Sequence, residues 1–348
     1  MDFKKVLTNW YSINKRELPW RKSKNPYFIW LSEIIMQQTQ IKQGLPYYEA
    51  FVTNYPTIFE LAEAPEQDIL KLWQGLGYYS RARNLHASAK YVVEELNGKF
   101  PSTYSELLKL RGVGDYTASA IASICFDEPT AVVDGNVYRV LSRYFGIDTP
   151  INSTKGIKEF KALATSLIDR KNPGDYNQAL MEFGATQCKP KNPYCMICPL
   201  KDSCVALQKG QIDNLPVKLK NTKVTKKHFN FLVFISSDQR TLFEKRNTKG
   251  IWRNLYQFPL IETEHELSSE AFKSQPKIKS YFKDKSYAYS LYNTKELVHK
   301  LSHQHLYTKF WIIAIDKLPE KGISISELTS YPTPIVIGNF IEEFNFTL

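Results

Sequence analysis

The chain has 348 residues, 43% of them hydrophobic, and a formal net charge of +11. That length exceeds one ordinary domain and supplies apolar material for two cores, while the charge favours a polyanionic partner over an acidic protein surface. No apolar run is long enough to cross a bilayer and the opening MDFKKVLTNW has no signal-peptide core, so a cytoplasmic location is expected.

From the start to about Leu207, apolar residues recur at threes and fours, as in LLKLRGVGDYTASAIASI and YRVLSRYFGI, which predicts an all-α domain over residues 1–208. Early in it, WLSEIIMQQTQ (Trp30 to Gln40) reads as a helix whose apolar run is interrupted by Glu33 beside Ile34, Ile35 and Met36, a setting that favours the protonated carboxyl. LRGVGDYTA sets Gly112 and Gly114 in a tight turn before a helix, where the backbone can come close to a DNA phosphate and the helix N-terminus offers N–H groups. Cys125 stands alone in the apolar helix that follows and reads as a small buried hydrophobe. AVVDGNVYRVLSRYF then brings Asp134 and Asn136 to a further helix start; Asp134 is an N-cap candidate, and the helix N-terminus favours its ionised form.

The remaining four cysteines, Cys188, Cys195, Cys198 and Cys204, lie within seventeen residues in the spacing C-x6-C-x2-C-x5-C. A disulfide framework does not suit a chain of this size without a secretory signal. Four thiolates in one short loop narrow the candidates to zinc or an iron–sulfur cluster, and only Cys195 with Cys198 forms the tight hook that structural zinc uses twice, so a cubane fits better. Lys189, Lys191 and Lys201 in the same loop are placed to meet phosphates.

Residues 209–227, KGQIDNLPVKLKNTKVTKK, are polar and basic and are predicted to be an interdomain linker. Beyond it HFNFLVFISS and YTKFWIIAI are rich in aromatic and β-branched residues and the chain closes on a helical pattern, which predicts a smaller α+β domain over 228–348.

Five segments taken together, ELPWR, WLSEIIMQQTQ, GLGYYSRARNLH, VDGNVYRVLSR and NQALMEFGA before the cysteines, resemble the helix-hairpin-helix DNA glycosylases of the endonuclease III type, and within them the MutY family of adenine DNA glycosylases. The resemblance spans essentially the whole chain. It implies a 4Fe-4S cluster on the four cysteines and a partner of double-stranded DNA carrying adenine opposite 8-oxoguanine or guanine. A monomer, with no membrane partner, near the nucleoid of a bacterium is expected. It implies that Glu33 protonates the extruded adenine at N7 while Asp134 stabilises or traps the sugar cation, as paired carboxylates do in glycoside hydrolysis. Tyr116 and Asn136 would lie beside them, with Arg16, Trp20, Arg21 and Glu182 around the flipped base; Trp20 offers a stacking face and Glu182 an acceptor for the exocyclic amine. Met36, Gln38 and Tyr78 match positions that enter the base stack.

Bifunctional relatives carry a lysine two residues after the second hairpin glycine, and here that position is Tyr116, so no amine nucleophile is at hand and a monofunctional enzyme is expected. Arg111 stands where the hairpin usually has proline. EKRNTKGIWRNLYQFPLIE resembles the opening of a nudix fold, but nothing after Pro259 matches its glutamate-rich helix, so nucleotide hydrolysis is not expected. In the MutY family this domain reads 8-oxoguanine through a Phe-Ser-His loop. Here Ser302 and His303 match and Leu301 replaces the phenylalanine. The competing readings are a bifunctional pyrimidine-lesion glycosylase and lyase, disfavoured by Tyr116, and a catalytically silent DNA-binding module, disfavoured by the presence of both carboxylates.

Overall fold

The computed structural model describes residues 2–219, 224–282 and 287–346, so the predicted linker lies partly outside the described residues. The chain groups into two units, Met1–Glu63 with Arg83–Lys220, and Ala64–Ala82 with Asn221–Leu348. Strands occur, among the described residues, only from Thr225 onward.

The helices before that point are α1 (Phe3–Asn14), α2 (Pro26–Met36), α3 (Ile41–Asn54), α4 (Ile58–Glu63), α5 (Glu66–Leu72), α6 (Ser80–Leu96), α7 (Tyr104–Leu107), α8 (Asp115–Phe126), α9 (Gly135–Phe145), α10 (Thr154–Leu167), α11 (Pro173–Thr186) and α12 (Val205–Gln208). Their starts carry the local chemistry that ends a helix cleanly. Asp2 accepts from the N–H groups of Lys4 and Lys5, Asn25 from Tyr27 with Pro26 as the next residue, and Ser153 from Gly156. Each such cap is worth about 1 kcal/mol. At the other end of α9, Gly146 takes φ +70 and its N–H reaches Ser142 O, a left-handed stop that disfavours a side chain.

Phe3, Leu7 and Tyr11 of α1 recur every four residues and pack on Val137, Val140 and Leu141 of α9 and Tyr176, Ala179, Leu180 and Phe183 of α11. α11 is the pivot. A Cβ at Gly174 would stand 2.7 Å from Ser123 O of α8, and one at Gly184 would stand 2.9 Å from Asn136 O of α9. Two glycines therefore let α11 lie against the backbones of both neighbours and set the gap between them. Buried Asn177 completes the brace: its Oδ1 accepts from Val132 N at 3.1 Å, and its Nδ2 donates to Ser123 Oγ and Thr130 O at 2.9 Å each. The extended run leading to Asp134 is thereby fixed at both faces.

In the second unit, β1 (Thr225–Ser236), β2 (Arg240–Thr241), β3 (Glu244–Lys245), β4 (Tyr256–Gln257), β5 (Leu260–Thr263), β6 (Ala288–Leu291), β7 (Leu297–Lys300), β8 (Gln304–Ile315) and β9 (Ile323–Ser324) form a mixed sheet and two short ribbons. β1 and β8 pair in parallel over twelve residues, from Thr225↔Gln304 to Ser236↔Ile315; β5 lies antiparallel on β1, and β6 and β7 antiparallel on β8. Helices α13 (Ser269–Ser274), α14 (Pro276–Phe282) and α15 (Ile335–Glu343) cover it. Phe272 stacks on Trp311 at 4.1 Å and Phe340 on Phe310 at 4.0 Å. Trp311 Nε1 is satisfied by Asn230 Oδ1 at 3.1 Å, so its burial leaves no lost donor. The segment Ala64–Ala82 is held in this unit by polar contacts: Asn254 Nδ2 to Glu66 Oε1, 2.6 Å; Lys71 Nζ to Tyr331 O, 3.3 Å; Thr333 N to Gln74 Oε1, 3.1 Å; and Tyr79 Oη to Thr333 O, 3.1 Å.

Candidate active site

One cavity of about 580 Å³ in the first unit is lined by Arg16, Trp20, Arg21, Glu33, Met36, Tyr116, Asp134, Asn136 and Glu182. Every catalytic and adenine-pocket candidate from the sequence meets there, carried by α2, α8, α9, α11 and the turn before α2. Tyr116 Oη donates to Glu33 Oε2 at 2.5 Å. Asp134 caps α9, accepting from Val137 N at 2.7 Å and from Asn136 Nδ2 at 2.8 Å.

Burial pushes the Glu33 carboxyl up to about 7, with the Tyr116 hydroxyl opposing, the Asp134 charge reinforcing and Arg21 opposing. Glu33 is therefore a proton donor near neutral pH. Asp134, expected as both N-cap and ionised partner carboxylate, does cap α9, and its carboxyl too is raised, because burial outweighs the Val137 N–H, the Asn136 side chain and backbone and the Arg139 charge. What separates the two carboxylates is hydrogen bonding: Asp134 is surrounded by donors that favour its charged form, whereas Glu33 has one hydroxyl.

Glu182 is buried on α11 and fully engaged. Oε1 accepts from Arg16 N at 3.0 Å and Arg16 Nε at 2.7 Å, and Oε2 from the guanidinium nitrogens of Arg16 and Arg21 at 2.7 Å each. Burial opposes ionisation, but the two arginines hold the carboxyl down at about 2. With four acceptor positions filled, the carboxylate meets an exocyclic amine only after an arginine moves, which differs from the free acceptor expected. Trp20 is buried and packs edge-on to Tyr48 at 4.9 Å.

The cysteines and α9 are joined by two arginines that sequence reasoning passed over. Arg139 donates to Asn136 Oδ1 at 2.8 Å, Gly184 O at 2.7 Å and Cys188 O at 2.8 Å. Arg143, one turn on, donates to Ile212 O, Leu215 O, Lys189 O and Pro190 O and lies 3.5 Å from Cys188 Sγ. In the sequence they are two arginines four apart on a helix, a spacing that reads as a surface charge pair. Cys188, Cys195, Cys198 and Cys204 line one small cavity with Arg143. Among the described residues no three acidic, histidine or cysteine groups are close enough to grip a single ion. Burial pushes the Cys198 thiol up to about 11 and the three neighbouring thiols act in the same sense, so four thiolates can coexist here only around compensating positive charge. Cys125 is half-buried, with burial pushing its thiol up to about 12, as suits a packing residue.

Met36 faces the cavity and packs over Gly44. Gln38 and Tyr78, the other two candidates for entering the duplex, adopt left-handed backbone, φ +55 and +48. Gly112 takes φ +80; its carbonyl accepts from Gln37 Nε2 at 3.3 Å, tying α2 to the hairpin, and exposed Gly114 caps α8. In the second unit Leu301, Ser302 and His303 form the turn between β7 and β8, with Ser302 and His303 exposed. Because the chain turns there, His299 lies on β7 and His305 on β8.

The fold and site define a base-excision DNA glycosylase: residues 31–164 match the family model of the HhH-GPD superfamily base excision DNA repair protein, and residues 230–343 that of the NUDIX domain. A solved thermostable thymine-DNA glycosylase superposes with a TM-score of 0.55 at 30% identity, covering 60% of this chain and 95% of that one. An adenine DNA glycosylase of Buchnera aphidicola subsp. Baizongia pistaciae is 37% identical over 89% of this chain and 86% of its own length. That of Buchnera aphidicola subsp. Schizaphis graminum is 40% identical over 75% of each. The chain belongs to the adenine DNA glycosylase family, hydrolases of N-glycosyl bonds.

Proposed function

We propose that the enzyme is monofunctional and removes adenine opposite 8-oxoguanine or guanine in double-stranded DNA. The observation that carries this reading is the one cavity that holds both Asp134 and Glu33, pushed up to about 7, with Glu33 accepting from Tyr116, a phenol where a lyase needs an amine. Glu33 gives its proton to N7 of the extruded adenine, the glycosidic electron pair leaves with the base, and the Asp134 carboxylate faces the cationic sugar. Water adds to C1′ and returns a proton to Glu33, leaving an abasic site. Asn136 holds Asp134, Arg16 and Arg21 are held by Glu182 at the base, and Trp20 walls the pocket. Gly112 and Gly114 take a phosphate, and Met36, Gln38 and Tyr78 fill the opened stack.

Cys188, Cys195, Cys198 and Cys204 would hold a 4Fe-4S cluster, whose iron would compensate the four thiolates and anchor the loop bearing Lys189, Lys191 and Lys201. The first unit, Met1–Glu63 with Arg83–Lys220, acts as the excision domain and residues 228–348 of the second as the lesion reader, where Ser302 and His303 offer donors and an acceptor to the N7–H and O8 edge and Leu301 packs. The test is single-turnover excision on duplexes with adenine opposite 8-oxoguanine or thymine, analysed with and without alkali. Strand breaks only after alkali and only in the lesion duplex support the reading; breaks without alkali overturn the monofunctional assignment, and no breaks overturn the roles of Glu33 and Asp134.

A further inference from the structure

The loop Gly75–Tyr79 presents two adjacent tyrosines in opposite ways. Tyr79 is buried and its hydroxyl donates to Thr333 O, whereas Tyr78 is 49% exposed. The backbone leading into them is wound left-handed, with φ of +94 at Gly75, +76 at Gly77 and +48 at Tyr78. A tyrosine in that region is sparsely populated and persists only when its surroundings dictate it.

Those surroundings converge on one side chain. Arg81 is buried, 8% exposed, and one of its guanidinium nitrogens donates to Leu76 O at 3.3 Å and Gly77 O at 3.1 Å. Its guanidinium carbon lies 5.1 Å from the Trp73 ring centroid and 5.6 Å from that of Tyr78. Trp73 Nε1 donates to the same Gly77 O at 3.0 Å, and the Arg81 backbone N–H donates to Tyr78 O at 2.8 Å. One planar cation therefore binds the carbonyls of the turn and covers both the buried and the exposed ring. Lysine could reach a carbonyl as a point charge but has no plane to lie over two rings.

We propose that Arg81 is a positioning residue for strand opening: it holds the loop so that the Tyr78 ring meets the duplex already set. The proposal rests on the reading of Tyr78 as a residue that enters the base stack. A preset wedge loses no side-chain freedom on binding, so its benefit falls on opening the duplex and not on the chemistry at Glu33 and Asp134.

The experiment compares the full chain with Arg81→Lys, Tyr78→Ala and the double variant. Two readouts are followed: fluorescence of 2-aminopurine placed beside an adenine opposite 8-oxoguanine, and single-turnover excision on that duplex and on one where the adenine faces an abasic site and is already unpaired. Arg81→Lys should lose unstacking fluorescence and slow excision about three- to tenfold on the paired duplex, a cation–π-sized effect, while matching the parent on the unpaired one. The double variant should be no slower than Tyr78→Ala. If Tyr78→Ala leaves both readouts unchanged, the wedge reading fails and takes the proposal with it. If Tyr78→Ala is impaired but Arg81→Lys matches the parent, slows both duplexes alike or adds to Tyr78→Ala, the role of Arg81 alone is overturned.

Discussion

The Tyr116 hydroxyl donates to Glu33 Oε2 at 2.5 Å, so the side chain that occupies the position of a lyase nucleophile is instead a hydrogen-bond donor to the proposed general acid. That bond favours the charged carboxylate, against the burial that drives Glu33 up to about 7. Tyr116→Phe should therefore raise the Glu33 pKa further. In a pH profile of single-turnover excision, the alkaline limb, where the proton needed by the base is lost, should move to higher pH. An unmoved or acid-shifted limb would contradict Glu33 as the donor.

Asp134 caps α9 and, in the proposed mechanism, is also the catalytic carboxylate; asparagine separates the two. Asn caps a helix as well as Asp does, so Asp134→Asn should keep α9. Burial raises the Asp134 pKa, which means its charge is carried at a cost to the fold; the variant should melt at the same temperature or higher at neutral pH. Excision should fall by roughly a hundredfold or more. A large drop in melting temperature would show that the carboxylate is there for stability.

Glu182 carries the opposite sign. Its pKa is depressed to about 2, so the stability it contributes is present above the ordinary carboxylate value and lost as pH falls toward 2. Glu33, raised from 4.5 to about 7, contributes stability that is present below 4.5 and lost as pH rises through 7. Glu182→Gln leaves Arg21, largely buried, without its charged partner and should cost about 3 kcal/mol in urea unfolding at pH 7. Glu33→Gln should stabilise progressively between pH 4.5 and 7. Equal and parallel pH dependences for the two variants would refute the assignment.

Cys198→Ala should remove the visible absorbance near 400 nm expected of a cubane and release the loop that Arg143 grips through Lys189 O and Pro190 O. DNA affinity should then fall with a shallower salt dependence, because Lys189, Lys191 and Lys201 are no longer held against phosphates. Retained absorbance with unchanged affinity would dissociate this cysteine from the cluster.

At the lesion loop, Leu301→Phe restores a stacking face beside exposed Ser302. Preference for 8-oxoguanine over guanine, measured as a ratio of dissociation constants, should rise by about 1 kcal/mol, while Ser302→Ala should lower it. A ratio indifferent to both changes would place lesion reading elsewhere.

Glu33 breaks an apolar helix and Asp134 opens one, but those local patterns alone read as a surface glutamate and an N-cap, and only the resemblance of the surrounding segments singles the two carboxylates out. Arg139 and Arg143 were not legible, since on a helix they look like surface charges. Their burial comes from α11 and from carbonyls of the cysteine loop and of Ile212 and Leu215, some 45 to 72 residues downstream. The saturation of Glu182 likewise depends on Arg16 and Arg21 across 166 and 161 residues. The left-handed turn at Gln38 carries no glycine to announce it, and the one announced by Gly75 and Gly77 runs on into Tyr78. Helical periodicity gave the two-part architecture, but it could not assign Ala64–Ala82, whose partners are set by Asn254, Tyr331 and Thr333.

That assignment has a consequence for taking the protein apart. A chain shortened at residue 208 keeps the Tyr78 loop but sheds the carbonyls and amides that Lys71, Gln74 and Tyr79 hold. Loss of activity in such a fragment would register a broken scaffold as much as a missing reader. The place where the polypeptide changes composition is not the place where the folded molecule divides.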